Sequence, residues 1–270
     1  MKIAFIGGGN MAAALIGGLV GKVADAAHVH VVDHNADTLQ SLRTRFGVGT
    51  SVAIDGSVAS ADVVVLAVKP QHMREVVEQL KPFVAAQLIV SVAAGIRMAD
   101  ISRWLDGHHA VVRAMPNTPA LIGRGISGVA AREQVSTLQR AQADAILKAV
   151  GETVWVGQEQ QLDAVTAISG SGPAYVFYFL EAMEKAAVEL GLSPAEGLAL
   201  AKATFAGATE LAQRSEEPVA TLRERVTSKG GTTHAALVSM EHSGVKDAIV
   251  TALKAAASRS KELGDEFGQA

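Results

Sequence analysis

A run of three glycines near the start of the chain constrains the fold more than any other feature. Residues 5–12 read FIGGGNMA, in which an apolar stretch meets the glycines and a small-residue helix, predicted over 10–21, follows. The spacing G-x-G-x-x-A between a strand and a helix is typical of dinucleotide-binding turns. Gly7 permits the tight bend, Gly9 lets the backbone approach a pyrophosphate, and Ala12 is small enough for close helix–sheet packing. We therefore predict a dinucleotide-binding domain built on this turn.

Short apolar runs alternate with helix-like segments through the first part of the chain. Five of these runs predict strands: KIAFI (2–6), VHVVD (29–33), DVVVLAV (62–68), LIVSV (88–92) and HAVVRAM (109–115). They are continuously apolar, as strands covered on both faces should be. Strands and helices in alternation predict a doubly wound parallel sheet, so we expect an α/β Rossmann-type domain over residues 1–161.

The pattern becomes helical after residue 161. Helices are predicted over 173–190, 193–214, 232–242 and 245–263. Gly191 ends the first of them, and Ser193 begins the next with a proline in its first turn and a capping-box glutamate. We therefore expect an all-α domain over residues 162–270.

The residues after the second predicted strand bear on the choice of dinucleotide. Asp33 ends that strand, where an acidic side chain normally holds the ribose hydroxyls and favours NAD. His34 and Asn35 follow at once and could instead donate to a 2′-phosphate, or could simply start and cap the next helix. The residues alone leave both interpretations open.

Three loops follow the predicted strands at the edge where such sheets bind ligands. They are Ala67-Val68-Lys69-Pro70, Ala93-Ala94-Gly95 and Met115-Pro116-Asn117-Thr118-Pro119. Lys69 could neutralise a phosphate or be an ordinary solvated lysine. Two prolines would hold Asn117 in a fixed geometry, useful beside a nicotinamide, although a rigid connector would look similar.

Two polar loops in the helical half predict an anion site. Ser169-Gly170-Ser171-Gly172-Pro173 and Ser228-Lys229-Gly230-Gly231-Thr232-Thr233 each precede a predicted helix. Free N–H groups, hydroxyls and the helix dipole converge at such a start, which suits a carboxylate. Simple capping is the alternative, but two such loops beside a dinucleotide fold favour a carboxylate-bearing substrate.

Composition excludes several classes of protein. A formal net charge of -3 argues against non-specific nucleic-acid binding, and the lack of cysteine excludes disulfides and thiolate metal sites. The histidine pairs 28/30 and 108/109 lack a third ligand, so no metal site is predicted. Apolar stretches stop well short of the roughly 20 residues that cross a membrane, and the glycines argue against a signal peptide. We expect a cytoplasmic protein with no nucleic-acid or membrane partner.

Six motifs in order resemble the pyrroline-5-carboxylate reductases. They are FIGGGNMA (5–12), LAVKPQ (66–71), VAAGI (92–96), RAMPNTPA (113–120), DAVTAISGSGPAY (163–175) and VTSKGGTTHAAL (226–237). The resemblance spans essentially the whole chain. It implies reduction of 1-pyrroline-5-carboxylate to L-proline with NADPH, or less often NADH, and a helical domain that interlocks with its twin in a dimer. Such dimers often assemble into decamers.

The resemblance also assigns site residues. Those expected at the cofactor are Ile6, Gly7, Gly8, Gly9, Asn10, Met11, Ala12, Asp33, His34, Asn35, Ala67, Val68, Lys69, Pro70, Ala93 and Ala94. Those expected at the substrate are Asn117, Glu159, Ser228, Gly230, Gly231, Thr232 and Thr233. Thr233 is the expected catalytic residue, hydrogen-bonded to the ring nitrogen while hydride adds to C5.

The chain departs from the family pattern at several of these positions. Lys229 stands where many members have proline, and Ala236 replaces a common glycine. His34 stands where arginine is frequent, and Asp55-Gly56 where many members carry an asparagine. The last two leave the choice between NADPH and NADH open.

Two other functions are weighed against this one. A β-hydroxyacid dehydrogenase also pairs a Rossmann half with a helical half, and it would need a base such as Lys185. A non-catalytic NADP-binding regulator would bind the dinucleotide without turnover, but it leaves the two polar loops unexplained.

Overall fold

The computed structural model describes residues 1–269, which form two compact units. The first unit comprises Met1–Ser171 together with the chain from Ala255 onward, and the second comprises Gly172–Lys254. The domain division at residues 161 and 162 stays a prediction. No helix within residues 1–269 has the length and apolar character that crossing a membrane requires.

A single eight-stranded sheet forms the centre of the first unit. Its strands are β1 (Ile3–Ile6), β2 (Val29–Val32), β3 (Gly49–Ser51), β4 (Val63–Leu66), β5 (Leu88–Ser91), β6 (Val111–Met115), β7 (Gly125–Ala131) and β8 (Gly151–Trp155). Their order is β3-β2-β1-β4-β5-β6-β7-β8. The crossover from β3 past β1 to β4 is the doubly wound pattern, so the predicted Rossmann-type fold is confirmed.

The sheet differs from the predicted one at its far side. Strand β7 runs antiparallel to β6, whereas the other neighbouring strands pair in parallel as predicted. Strands β3, β7 and β8 were not predicted. Strand β3 has three residues, β7 contains two glycines, and β8 is a half-exposed edge strand, so none carries a continuous apolar run.

Helices cover both faces of the sheet. They are α1 (Asn10–Leu19), α2 (Ala36–Phe46), α3 (Gly56–Ala59), α4 (Met73–Leu80), α5 (Met98–Trp104), α6 (Thr137–Lys148) and α7 (Gln161–Val165). One core cluster packs Phe5 against Leu15 of α1, and the other packs Ile6 and Val64 against Val77 of α4. All four residues of β1 are buried, because successive side chains enter opposite core layers.

The second unit is helical. It holds α8 (Gly172–Glu189), α9 (Pro194–Arg214), α10 (Val219–Arg225), α11 (Thr232–His242) and the start of α12 (Val245–Gln269), whose later turns belong to the first unit. Helix α9 begins with the predicted capping box of Ser193 and Glu196. Helices α8 and α9 pack closely, with the rings of Phe179 and Phe205 centred 6.3 Å apart.

Candidate functional site

The glycine turn follows β1 and contacts the carboxyl ends of β2 and β4. Gly7 has φ +97°, and its N–H donates to the carbonyl of Val32 at 2.8 Å. A Cβ added at Gly7 would lie 2.7 Å from the carbonyl oxygen of Ala67. Both the backbone conformation and the close approach therefore require glycine here.

Helix α1 begins immediately after this turn with free backbone donors. Gly9 is its N-cap, and no side chain in the described part of the chain caps it. A Cβ added at Gly9 would meet no atom within 4 Å, so the helix start is open to a ligand. Unpaired N–H groups and the positive end of the helix dipole make this an anion site that suits a pyrophosphate.

A cavity of about 560 Å³ lies beside the turn, at the carboxyl ends of β1, β2 and β4. Predicted cofactor residues contribute to its wall: Ile6, Gly7, Gly9, Asp33, His34, Ala67, Val68 and Lys69. The structure therefore gathers residues from three separate stretches of sequence into one site. Its position at the topological switch of the sheet is where doubly wound folds bind nucleotides.

The remaining predicted cofactor residues lie outside this wall. Within the described residues 1–269, the predicted cofactor residues that do not line the cavity are Gly8, Asn10, Met11, Ala12, Asn35, Pro70, Ala93 and Ala94. Gly8 faces α2, since a Cβ there would lie 3.0 Å from the side chains of Leu42 and Thr38, and Ala12 is fully buried. Gly8 and Ala12 therefore allow close packing of neighbouring elements. For all eight residues, contact with the cofactor stays a prediction.

The cavity also has wall residues that the sequence analysis missed. They are Val32 at the end of β2, Val52, Ala53 and Ile54, which follow β3, and His72, Glu75, Val76 and Gln79 around α4. The four residues around α4 fall at i, i+3, i+4 and i+7, which is one face of a helix. The helical spacing of these four residues can be recognised in the sequence. Residues 52–54 could not be assigned to the cavity in that way, because the sequence did not predict strand β3, which they follow.

Asp33 anchors the glycine turn. Its Oδ2 accepts the Gly8 N–H at 2.7 Å, and its Oδ1 accepts the Asn35 N–H at 2.8 Å. The side chain is 14% exposed. Because both carboxylate oxygens already bind backbone donors, Asp33 holds the end of β2 against the turn.

The two residues after Asp33 differ in their environment. The Asn35 side chain accepts the Thr38 N–H at 2.9 Å, so it caps α2, as one of the two open interpretations predicts. The His34 side chain is 98% exposed on the cavity wall. The ring is open to the cavity except at Nδ1, which lies 3.6 Å from the Asp33 carboxylate.

Asn117 links three segments at the end of β6. Its Nδ2 donates to the Ser169 hydroxyl at 3.2 Å, and its Oδ1 accepts the Ile126 N–H at 3.0 Å. The side chain is thereby fixed, as expected for a residue between two prolines. Its contact with substrate stays a prediction.

Glu159 forms contacts within the first unit. Its Oε1 accepts the Met98 N–H at 2.7 Å and lies 3.2 Å from Nη1 of the buried Arg113. The carboxylate therefore caps the start of α5 and neutralises a buried guanidinium. These contacts give Glu159 a structural role, and its predicted role at the substrate stays a prediction.

The segment 166–170 is helical, so the prediction of a polar loop at Ser169–Pro173 is wrong. Thr166–Gly170 form a π-helical turn between α7 and α8, and the Ser171 N–H donates to the Thr166 carbonyl at 2.8 Å. A Cβ added at Gly170 would lie 2.5 Å from Cε of Met115. The glycine thus lets the end of β6 approach the widened turn.

The second predicted loop has the expected form. Gly230 has φ +76°, and the Gly231 N–H donates to the Ser228 carbonyl at 3.0 Å, which closes a tight turn. Gly231 is the N-cap of α11, and within the described residues no side chain caps this helix. Thr232 and Thr233 are exposed in its first turn. The free N–H groups and two hydroxyls suit a carboxylate, as at α1.

The predicted substrate residues fall in both units. Asn117 and Glu159 lie in the first, and Ser228–Thr233 lie in the second. Within residues 1–269, no three His, Asp or Glu side chains cluster as metal ligands.

A full-length similarity identifies the family. The chain is 47% identical over 269 residues to the pyrroline-5-carboxylate reductase of Pseudomonas aeruginosa, covering 99% of this chain and 98% of the relative. The chain belongs to the pyrroline-5-carboxylate reductase family. Residues 159–263 match the family model described as pyrroline-5-carboxylate reductase dimerisation, and residues 2–95 match the one described as NADP oxidoreductase, coenzyme F420-dependent.

Solved structures of pyrroline-5-carboxylate reductases have the same fold. The Coxiella burnetii protein has a TM-score of 0.91 at 39% identity, over 97% of this chain and 98% of that one. The Plasmodium falciparum protein, described with NADP bound, has a TM-score of 0.86 at 28% identity, over 98% of each chain. The Rossmann-type and helical halves of this reductase are thus those of its family.

The hydroxyacid dehydrogenase alternative loses its candidate base. Lys185 lies on α8 with its side chain 80% exposed, and its Nζ is 3.8 Å from the Glu189 carboxylate. A general base has to touch the reacting group in a site that excludes water, whereas this side chain is solvated and pairs with a carboxylate of its own helix. Family membership points the same way.

Proposed function

We propose that this protein reduces 1-pyrroline-5-carboxylate to L-proline with a reduced nicotinamide dinucleotide. The observation that carries the proposal is the open start of α1 beside the 560 Å³ cavity, in a chain of this reductase family. That geometry suits a dinucleotide, and the family supplies the reaction.

The residues of the turn bind and orient the cofactor. The N–H groups at the start of α1 receive the pyrophosphate, and Val68 and Lys69 border the same cavity. Residues 52–54 and the exposed face of α4 enclose its other side, where the adenosine half fits. When bound, the reduced nicotinamide supplies the hydride that adds to C5 of the imine.

We propose NADPH as the preferred form. The support is the exposed His34 on the cavity wall, an Asp33 whose oxygens already bind backbone, and the relative described with NADP bound. A phosphate at the 2′ position would meet the His34 ring and the first turn of α2.

The start of α11 binds the substrate carboxylate in this proposal. Its free N–H groups receive the two oxygens, and the Thr232 hydroxyl adds a donor. The Thr233 hydroxyl hydrogen-bonds the ring nitrogen and so fixes the orientation of C5. Protonation of the imine nitrogen makes C5 electrophilic, so the protein contributes mainly orientation and electrostatics.

The dimerisation family model over residues 159–263 indicates an oligomer. We propose a homodimer built through the helical unit, with assembly of dimers into a decamer as a further step. We also propose a cytoplasmic location, where a reduced nicotinamide pool is available, and no nucleic-acid partner.

The first experiment follows the loss of NADPH absorbance, and of NADH in parallel, when 1-pyrroline-5-carboxylate is added to the purified protein. Rapid oxidation with proline as product supports the proposal, and the ratio of the two kcat/KM values measures the cofactor preference. Absence of oxidation with tight dinucleotide binding retained would favour the non-catalytic regulator.

Thr233→Ala tests the substrate site in the same assay. Loss of one hydrogen bond to the reacting ring should lower kcat/KM by about 10-fold or more. Thr209→Ala, at an exposed position on α9, is the matched control and should leave kcat/KM unchanged. Equal kcat/KM in the two variants would remove Thr233 from the mechanism.

A further inference from the structure

The last turns of α12 pack directly on the loop that follows β5. Gly95 in this loop has φ +76°, and a Cβ added there would lie 3.1 Å from a ring carbon of Phe267 and 3.4 Å from Cβ of Leu263. The backbone of the loop therefore packs directly against side chains of the helix. Ala93 and Ala94, two of the predicted cofactor residues, immediately precede Gly95.

Two glycines on one face of α12 extend this close approach. A Cβ on Gly264 would lie 3.2 Å from the guanidinium of Arg97, and one on Gly268 would lie 2.8 Å from the carboxylate of Asp100. Residues four apart lie on the same face of a helix, so both glycines meet the segment 95–100. A side chain at either position would displace the Arg97 guanidinium or the Asp100 carboxylate, and at Gly264 it would also lie 3.4 Å from the Gly95 carbonyl oxygen.

Polar contacts also hold the end of α12 against the first unit's loop and helix at residues 97–103. Arg97 Nη2 lies 2.5 Å from the Asp265 carboxylate, and Arg103 Nη2 donates to the Gly268 carbonyl at 2.8 Å. The carboxylate of Asp265 raises the pKa of Arg97 further above its ordinary value. One turn earlier, the buried Ser260 hydroxyl donates to Asp163 at 2.7 Å. Residues distant in sequence are thus joined at several points.

We infer that residues 260–268 of α12 hold the 93–97 loop in the conformation that receives the cofactor, with Arg97 and Asp265 as positioning residues. The inference rests on the proposed function, because it takes Ala93 and Ala94 to contact the dinucleotide. The loop lies at the carboxyl end of β5 and has no regular structure of its own. Its position is set by β5 on one side and by α12 on the other.

Asp265→Ala tests the ion pair, and Gly264→Leu tests the close packing. NADPH affinity is measured by fluorescence titration, and KM for NADPH, KM for the imine, kcat and Tm are measured on the same preparations. We expect KM and Kd for NADPH to rise ~5-fold in Asp265→Ala and ~10-fold or more in Gly264→Leu, with kcat within about twofold. Asp265→Glu keeps a carboxylate near Arg97 and should restore most of the affinity.

Glu266→Ala is the matched control. Glu266 lies one residue further along α12, and its carboxylate pairs with Arg259 on the same exposed side of the helix. This variant removes the same charge without touching the loop, so NADPH affinity should stay at the wild-type value. A purely structural role for Asp265 would lower Tm and leave NADPH affinity unchanged.

The inference is overturned if Asp265→Ala and Gly264→Leu bind NADPH as tightly as Glu266→Ala does. Should Gly264→Leu fail to fold, Asp265→Ala and Asp265→Glu decide the question alone. The titration measures binding without turnover. A wild-type protein that binds NADPH but does not reduce the imine would therefore contradict the proposed function and still allow the variants to be ranked.

Discussion

The Asp33 carboxylate holds the glycine turn through two backbone N–H groups, from Gly8 and Asn35. Removing it leaves both donors without their charged partner, and such bonds are stronger than neutral ones. We expect Asp33→Ala to raise KM for NADPH and for NADH alike, by about 10-fold, because the turn serves both cofactors. Steady-state kinetics with each cofactor measure the effect.

The ratio between the two cofactors separates this role from direct recognition of the ribose. If Asp33 bound the 2′-hydroxyl, its loss would weaken NADH selectively and shift the ratio of kcat/KM values toward NADPH. Asp25→Ala removes an exposed carboxylate that does not line the cavity and is the matched control. A shift of the ratio in Asp33→Ala alone would contradict the anchoring role.

Two histidines give the stability of the protein a pH dependence. Burial lowers the pKa of His30 and of His108 below the ordinary value of 6.5. The unfolded chain therefore takes up protons that the folded chain does not, so stability is fully present above about pH 6.5 and falls as the pH drops below it. We expect Tm to fall between about pH 7.5 and pH 5.5.

Variants assign that pH dependence to its source. His30→Gln with His108→Gln should make the change of Tm over this range smaller, whatever its effect at neutral pH. His34→Gln replaces a fully exposed ring and is the matched control for the substitution itself. An unchanged slope in the double variant would show that other groups cause the loss of stability.

At the scale of elements, the Glu159 carboxylate connects the start of α5 to β6. Glu159→Ala leaves the guanidinium of Arg113 buried without its partner, and we expect the free energy of unfolding to fall by about 3 kcal/mol. Urea denaturation measures the change. Arg113→Met combined with Glu159→Leu removes the stranded charge and should recover much of the loss.

An exposed ion pair provides the comparison for this variant. Arg74 and Glu78 pair on α4 with both side chains about half exposed, and Glu78→Ala should cost less than about 1 kcal/mol. If Glu159→Ala proved no more destabilising than Glu78→Ala, the contact of Glu159 with Arg113 would carry little of the stability. Its predicted role at the substrate would then gain weight.

The elements that the sequence predicts correctly are those with a strong local signal. Strands β1, β2, β4, β5 and β6 are predominantly apolar runs, and α9 begins with a capping box readable from Ser193 and Glu196. The antiparallel pairing of β7 with β6 depends on contacts between distant residues. No local pattern in a strand with two glycines indicates it.

In the candidate site, too, the features with a local sequence signal were predicted and those that depend on contacts between distant residues were not. The turn at Gly7–Gly9 is readable because three glycines in a fixed spacing serve one local backbone path. The cavity wall is not readable in full, since residues 52–54 reach it only because β3 lies beside β2. The contacts of Asp33 with Gly8, and of Glu159 with Arg113, likewise arise from the packing of separate elements.

At the scale of the whole molecule, the helical unit leaves a large apolar surface uncovered in a single chain. Helix α8 has no buried residue along its described length, and Phe177 and Tyr178 are 59% and 72% exposed. Exposed apolar area of this extent marks an interface between proteins. The match of residues 159–263 to a dimerisation family model favours a second copy of this chain as the partner.

We therefore expect the protein to elute with at least twice the chain mass of 27.9 kDa in size-exclusion chromatography with light scattering. Phe177→Glu with Tyr178→Glu should shift the population toward monomer at micromolar concentration, because burying two carboxylates in an apolar interface costs several kcal/mol. Leu138→Glu changes an equally exposed leucine of α6 in the first unit and should leave the mass unchanged. A wild-type monomer, or a double variant that assembles as the wild type does, would place the interface elsewhere.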